Sequence, residues 1–481
     1  MGSTTLRTSL EAIALAWAEA GLPAETLQQI RLPGAEPALP SSFAVGTAAQ
    51  AGIALAALAA LQYWQLRSGC RQEVSVGMRD AAIECRSDHY FAIDGQPVEF
   101  HDPLTGLYRC GDGGWVRIHA NFEHHREGAL KLLSCAAARA EITAALDGHS
   151  AIGFEEQAAV AGLPVVALRS FAQWDTHPQG LAMAGLPLLS IARIGDGPAC
   201  WTRAAAGGPS VAPGGGAAAS PLLAGVRVLE LTRILAGPVC GRTLAAYGAD
   251  VMLVNSPRLP NIDAIADTSR GKLSTLIDLK DKTGCATMYR LLNSADVFLQ
   301  GYRPDAIGGL GFGPEELAGR YPGLVYASLS AYGAQGPWRQ RRGFDSLVQT
   351  AAGFNVAEAQ AAGSATPKPL PTQILDHASG YLLAFGIGAA LAKRATEGGS
   401  WHVQVSLAQT AHWLRSLGRV CGGFSIANPG RADVADLLET SDSGFGALTT
   451  VRHAAHFSRT PAAWRLPSMP IGAHPAAWRA I

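Results

Sequence analysis

With 481 residues, 48% of them apolar and only 16% charged, the chain can bury large cores and is expected to form two or three domains. Its 38 Lys plus Arg balance 38 Asp plus Glu, so net charge gives no support to a nucleic-acid surface. Eight cysteines are scattered without CxxC or Cys/His ligand spacing, which argues against a disulfide framework or a zinc site and for reduced thiols in a cytoplasmic protein.

The N-terminus carries acids early and lacks a cleavage-type signal. The longest apolar runs, near 51–61 and 382–392, read as too short to span a bilayer, so no membrane is expected. Residues 5–30 read as helix, stopping at Gly21-Leu22-Pro23, and residues 44–67 as a helix of small residues suited to close packing. A strand at 73–76 follows. Short strands then surround a glycine turn at Asp112-Gly113-Gly114, and helix-like segments alternate with a strand at 163–168 to give a small α+β unit over about 90–200.

Ala204 to Ser220 is low-complexity, so a flexible linker is drawn at 204–222. Beyond it strands at 226–231, 250–254, 273–279, 297–300 and 323–330 alternate with helices at 237–247 and 284–293. That rhythm predicts α/β architecture with a Rossmann-like, mainly parallel sheet and ligands at the carboxyl ends of its strands. Neither GxGxxG nor GxxxxGK[ST] occurs, which removes support for nicotinamide and P-loop readings.

Within 370–394 one acid, Asp376, stands where a proline-punctuated loop gives way to an apolar helical run. Two readings fit: a helix N-cap, which Asp fills well, and a carboxylate kept ionised and nucleophilic by the helix N-terminus. Sliding the chain by 329 residues lays 69–78 on 398–407, each preceded by a small-residue helix, and puts Asp376 on Thr47. If these are copies, only the second has the carboxylate.

The run Leu223 to Pro238, with Gly248-Ala249-Asp250-Val251, Lys272, Asp278-Leu279-Lys280, Tyr302-Arg303-Pro304, Gly343-Phe344-Asp345 and Leu375-Asp376, resembles the family III CoA-transferases. These motifs recur in family order over roughly 223–410. The N-terminal half is similar to the later part of a member and the C-terminus to the family's closing segment, as if a truncated copy (1–203) were fused ahead of a second (223–425) and a closing segment (426–481).

The resemblance implies that Asp376 attacks an acyl-CoA thioester, and that CoA then passes through an aspartyl anhydride and an aspartyl-CoA thioester to an acceptor carboxylic acid. Coenzyme A contacts fall on Ile234, Leu235, Ala236, Lys272, Gly301, Tyr302, Arg303 and Tyr332, with no metal and no permanently bound cofactor. It also implies a homodimer, or an internal pseudo-dimer. This chain departs from the family pattern at Gly301, Asn255 and Gly309, which stand where members carry Asn, an acid and Arg. The alternatives are an α-methylacyl-CoA racemase, against which Phe344 replaces the histidine base of the motif, and a degenerate CoA-binding module without catalysis.

Overall fold

The computed structural model describes residues 6–99, 102–203 and 220–479; most of the expected linker, 204–219, lies outside them. The first half opens with α1 (Ser9–Glu19), closed by a capping box on Thr8, and α2 (Val45–Ser68). Then come β1 (Val74–Val76), α3 (Met78–Glu84), the hairpin β2 (Gly106–Arg109) and β3 (Trp115–Ile118), α4 (Glu123–Leu133), β4 (Val165–Ala167) and β5 (Leu189–Gly195). The second half contains β6 (Arg227–Leu231), α5 (Ala236–Ala246), β7 (Asp250–Asn255), β8 (Lys272–Leu276), β9 (Val297–Gln300), β10 (Val325–Ser330), α6 (Asp345–Ala351), α7 (Ile374–Glu397), β11 (Ser400–Ser406) and α8 (Leu407–Ser416). It closes with β12 (Leu438–Ser443), β13 (Gly446–Val451) and β14 (Ala455–Phe457).

The main sheet has the order β8-β7-β6-β9-β10-β11-β5, parallel throughout except for β5, which runs antiparallel to β11. The mixed α/β fold with a mainly parallel sheet is therefore as expected. Strand pairing nevertheless crosses every boundary drawn from the sequence. β5, from before the linker, completes the main sheet, while β14 pairs with β1 and β13 with Ala92–Ile93. The small unit, β2-β3-β4 with its helices, keeps a core of its own around Val116, Ile118 and Phe154.

The two small-residue helices form the centre of the largest core. α2 and α7 both have 24 residues and start 329 positions apart. Their entries share one backbone conformation: Ala44 at φ −75, ψ 61 and Gln373 at φ −77, ψ 58. Both end on a glycine at φ 70, Gly69 and Gly398. The same offset carries β1 into β11 and the start of α3 onto the start of α8.

Glycine and alanine let these helices touch at backbone distance. A Cβ on Gly388 would lie 2.8 Å from that of Ala59, and one on Gly380 would lie 2.5 Å from the Ala236 carbonyl oxygen. Both helices are long and apolar enough to cross a membrane by length and composition, which corrects the shorter runs read from the sequence; their apolar windows are completely buried inside the protein. A helix apolar on every side belongs in a core or a bilayer, and here the core takes it.

Candidate active site

The order of the parallel strands reverses between β6 and β9, and the crevice outside the carboxyl ends at such a reversal is where open α/β sheets bind ligands. Ile234-Leu235-Ala236 follows β6 there and Gly301-Tyr302-Arg303 follows β9; Ile234 and Leu235 line one cavity and Tyr302 another. Ile234 holds φ 77, a left-handed conformation costly for a β-branched residue, and α5 starts immediately afterwards without a side-chain cap. Tyr302 is half-buried, and its backbone N–H donates to Gln300 Oε1 at 2.8 Å. A cationic group stands around it: burial, with added repulsion from Arg342, holds the Arg233 guanidinium below its usual range, and burial and Arg303 do the same to Arg342.

Lys272 and Tyr332 do not take part in this crevice. Lys272 opens β8, and its fully buried ammonium turns inward to Glu230 Oε2 at 2.9 Å and the Pro238 carbonyl at 2.8 Å. Burial pushes Lys272 down and Glu230 up, and their mutual attraction opposes both shifts. A lysine with no exposed surface cannot meet a phosphate. Tyr332 is 1% exposed, packed edge-on against Trp338 with ring centroids 5.1 Å apart. The expected CoA contacts at these two positions are corrected on that ground.

Asp376 occupies the third position of α7 rather than its N-cap, which is Gln373. The reason lies in Asp345, at the start of α6. Its Oδ2 accepts the Asp376 backbone N–H at 3.0 Å, and the Leu375 N–H also points at it. The open N–H groups of the helix thus serve Asp345, not Asp376. No hydrogen bond reaches the Asp376 carboxyl among the described residues, and it is 6% exposed. Burial, then the charges of Asp345 and Asp88, raise its pKa well above the ordinary carboxylate range. The helix N–H groups expected to hold Asp376 ionised are thus committed to Asp345. Burial lifts Asp345 to about 6, against the backbone bonds, Gln349 and His377 that favour its anion.

Beside this pair lies a cavity of about 370 Å³ built from both halves of the chain. Asp345, Phe344, Gln349, Ile234 and Leu235 line it from the second half; Arg86, Arg117 and His119 line it from the first. His119 stacks face to face on Phe344, with centroids 3.7 Å apart and planes 5° apart. An imidazole from the small unit thus stands against the position where the motif lacks one. Arg117 and His119 escaped the functional reading of the sequence. Their signal was the alternation Val116-Arg117-Ile118-His119: Val116 and Ile118 enter the small unit's core, which leaves Arg117 and His119 on the opposite face.

Residues 223–419 match CoA-transferase family III. The match covers less than half of the chain. The chain is 36% identical over 183 residues to a probable fatty acyl-CoA transferase of Mycobacterium tuberculosis, covering 35% of this chain and 46% of the relative. It is 34% identical over 139 residues to an acetyl-CoA:oxalate CoA-transferase of Acetobacter aceti, covering 29% and 36%. The chain thus spans less than half the length of either curated relative. Among solved structures, a hypothetical protein of Mycobacterium tuberculosis superposes with TM-score 0.38 at 36% identity, over 41% of this chain and 58% of that one.

A buried polar network locks the matched segment to the first half. Asp267 binds Arg242, Arg270 and Ser87, while Glu84 accepts from the Ala454 backbone and pairs with His453 at 2.8 Å. Burial opposes the charge on Glu84, but His453 and Arg242 bring its pKa down to about 2. His377, next to Asp376, is fully buried and directed at Asp88, 3.2 Å from its Nε2, so it belongs to this network.

Proposed function

We propose that the protein is an acyl-CoA:carboxylate CoA-transferase in which Asp376 is the nucleophile. One observation carries the reading: the lone carboxyl of the first turn of α7, left without donors, stands beside Asp345 and a two-sided cavity within the segment that matches family III. The ionised Asp376 carboxylate attacks the thioester carbonyl, forming an acyl-aspartyl anhydride and releasing CoA thiolate. The thiolate attacks the aspartyl carbonyl, liberating the donor acid and leaving an aspartyl-CoA thioester. An acceptor carboxylate attacks that thioester to regenerate an anhydride, and the returning thiolate takes the new acyl group as acyl-CoA. Splitting one hard displacement into covalent steps lowers each barrier.

The first-turn N–H groups of α7 are committed to Asp345 and do not serve as oxyanion donors. Ile234 to Ala236 and Gly301 to Arg303 receive the CoA chain at the crevice. Arg233, Arg303 and Arg342 supply the cations that its phosphates need in place of the withdrawn Lys272. Acyl-CoA and a free acid are the partners, the site is cytoplasmic, and the two halves act as an internal pseudo-dimer of a truncated copy and a second copy that lacks most of its own small domain. The shared offset of α2 and α7 supports that last point.

The test is CoA transfer between a panel of acyl-CoAs and free acids, with Asp376→Ala as control. Transfer lost in the variant supports the reading. Exchange of the α-proton of a branched acyl-CoA without transfer would instead favour the racemase, with His119 as the base that Phe344 cannot be. CoA binding without either reaction would leave a binding module.

A further inference from the structure

The 370 Å³ cavity holds more positive charge than its own residues neutralise. Arg117 lies on the middle strand of the small sheet, 9% exposed. Its Nε donates to Thr350 Oγ1 at 3.1 Å, and Thr350 stands on α6, the helix that carries Asp345. Among the described residues the two terminal nitrogens have no hydrogen-bond partner and no carboxylate lies within ion-pair distance of the guanidinium. Burial lowers the Arg117 pKa to about 10, and Asp345 is the one acid whose charge acts on it.

Arg86, 7% exposed, lines the same cavity. It donates to the Pro371 carbonyl and, at 2.8 Å, to Asn428 Oδ1, both neutral, and its Nε is buried without a partner. Lys368, half-buried, also lines the wall and lies over Phe424 without an ion pair. Asp345 is the only carboxylate among the lining residues. Three cations against one carboxylate leave an excess of two positive charges. A buried guanidinium without a counter-ion is costly, and a fork of free N–H groups matches a carboxylate in charge and shape.

We infer that this cavity selects a dicarboxylic acid, with Arg117 as the specificity-determining residue that grips the carboxylate remote from the reacting one and Arg86 in support. The inference rests on the transferase reading for its chemistry and on the cavity alone for its ligand. A monocarboxylate would neutralise only half the excess. The phosphates of CoA are the other anionic source, so the test must separate the two.

The measurement compares glutarate with valerate, acids of equal chain length, as CoA acceptors and as ligands of the intact chain by titration calorimetry, in wild type, Arg117→Gln and Arg117→Lys. Wild type is expected to favour glutarate in kcat/KM. Arg117→Gln should raise the glutarate KM about 10- to 100-fold, leave kcat nearly unchanged and leave free CoA binding intact, with Arg117→Lys restoring part of the loss. Preference for valerate in wild type, or a variant that loses CoA affinity while keeping its glutarate KM, would overturn the inference and leave the transferase reading standing. Glutarate binding that depends on Arg117, with no transfer to any acid, would support the inference and sink the transferase reading. The wild-type preference decides the matter even if the variants fold poorly.

Discussion

The first turns of α2 and α7 have the same backbone entry and the same solution for their open N–H groups, and only α7 carries a carboxyl there, Asp376 at the position of Thr47. In α7 the preceding Asp345 accepts from Leu375 and Asp376. In α2 the preceding Glu36 accepts the Thr47 N–H at 2.6 Å and the Ala38 N–H at 3.1 Å, with Gly46 also directed at it. Burial raises both carboxyls. The two acids reach this position from different separations, 11 residues ahead of Thr47 and 31 ahead of Asp376. The helix N-terminus is thus stabilised in the same way twice, and this duty is independent of reactivity. What makes one turn a candidate active site is a second carboxyl that the helix does not satisfy.

Removing that second carboxyl should have the largest effect. Asp376→Asn is expected to lower kcat of transfer by about 10⁴-fold or more, read by acyl-CoA consumption. Its effect on stability has the opposite sign. A carboxyl whose folded pKa is raised contributes stability below its unfolded value and loses it as pH climbs through the folded value. For Asp345 that window runs from 3.8 to about 6, and Asp376, raised in the same direction, adds to the loss. Thermal melts should therefore show wild type losing stability across this range and Asp376→Asn losing less.

Asp345→Asn sharpens the comparison from the other side. The helix loses its anion, at a cost of about 1–3 kcal/mol in denaturant unfolding. Asp376 loses the charge that repels its ionisation, so the acid limb of the kcat–pH profile should move to lower pH. A limb that stayed in place would mean that Asp345 does not govern Asp376. The converse substitution, Thr47→Asp, should create no second site, because the crevice, β6 and β9 have no counterpart beside α2 in the described residues. It should cost about 1–3 kcal/mol by placing a second buried carboxyl next to Glu36. The smallest effect is expected for Glu36→Gln, about 1 kcal/mol with transfer unchanged.

The mainly parallel sheet was legible because strands at 226–231, 250–254, 273–279, 297–300 and 323–330 read as short strand-compatible runs, with helix patterns at 237–247 and 284–293 between two of the pairs. The offset between copies was legible for a related reason: small residues at close-packed helix contacts constrain the sequence strongly. The surroundings of Asp376 were not legible, because they depend on Asp345, which lies far away in the chain and takes the N–H groups that the local pattern assigned to Asp376. Lys272 was misplaced because a lysine opening a strand reads as exposed until its partner Glu230 is seen inside the sheet. Arg117 was hidden for the same physical reason: its meaning comes from a helix of the other half, reached through Thr350.

The most direct test of an unequal pair of turns is intact-mass spectrometry of the wild-type chain after incubation with acyl-CoAs and hydroxylamine, which converts an activated aspartyl group into a hydroxamate. The predicted result is one hydroxamate per chain, mapped to Asp376 and absent in Asp376→Asn. An adduct at another carboxyl, or none with any donor that demonstrably binds, would contradict the assignment of Asp376 as the nucleophile.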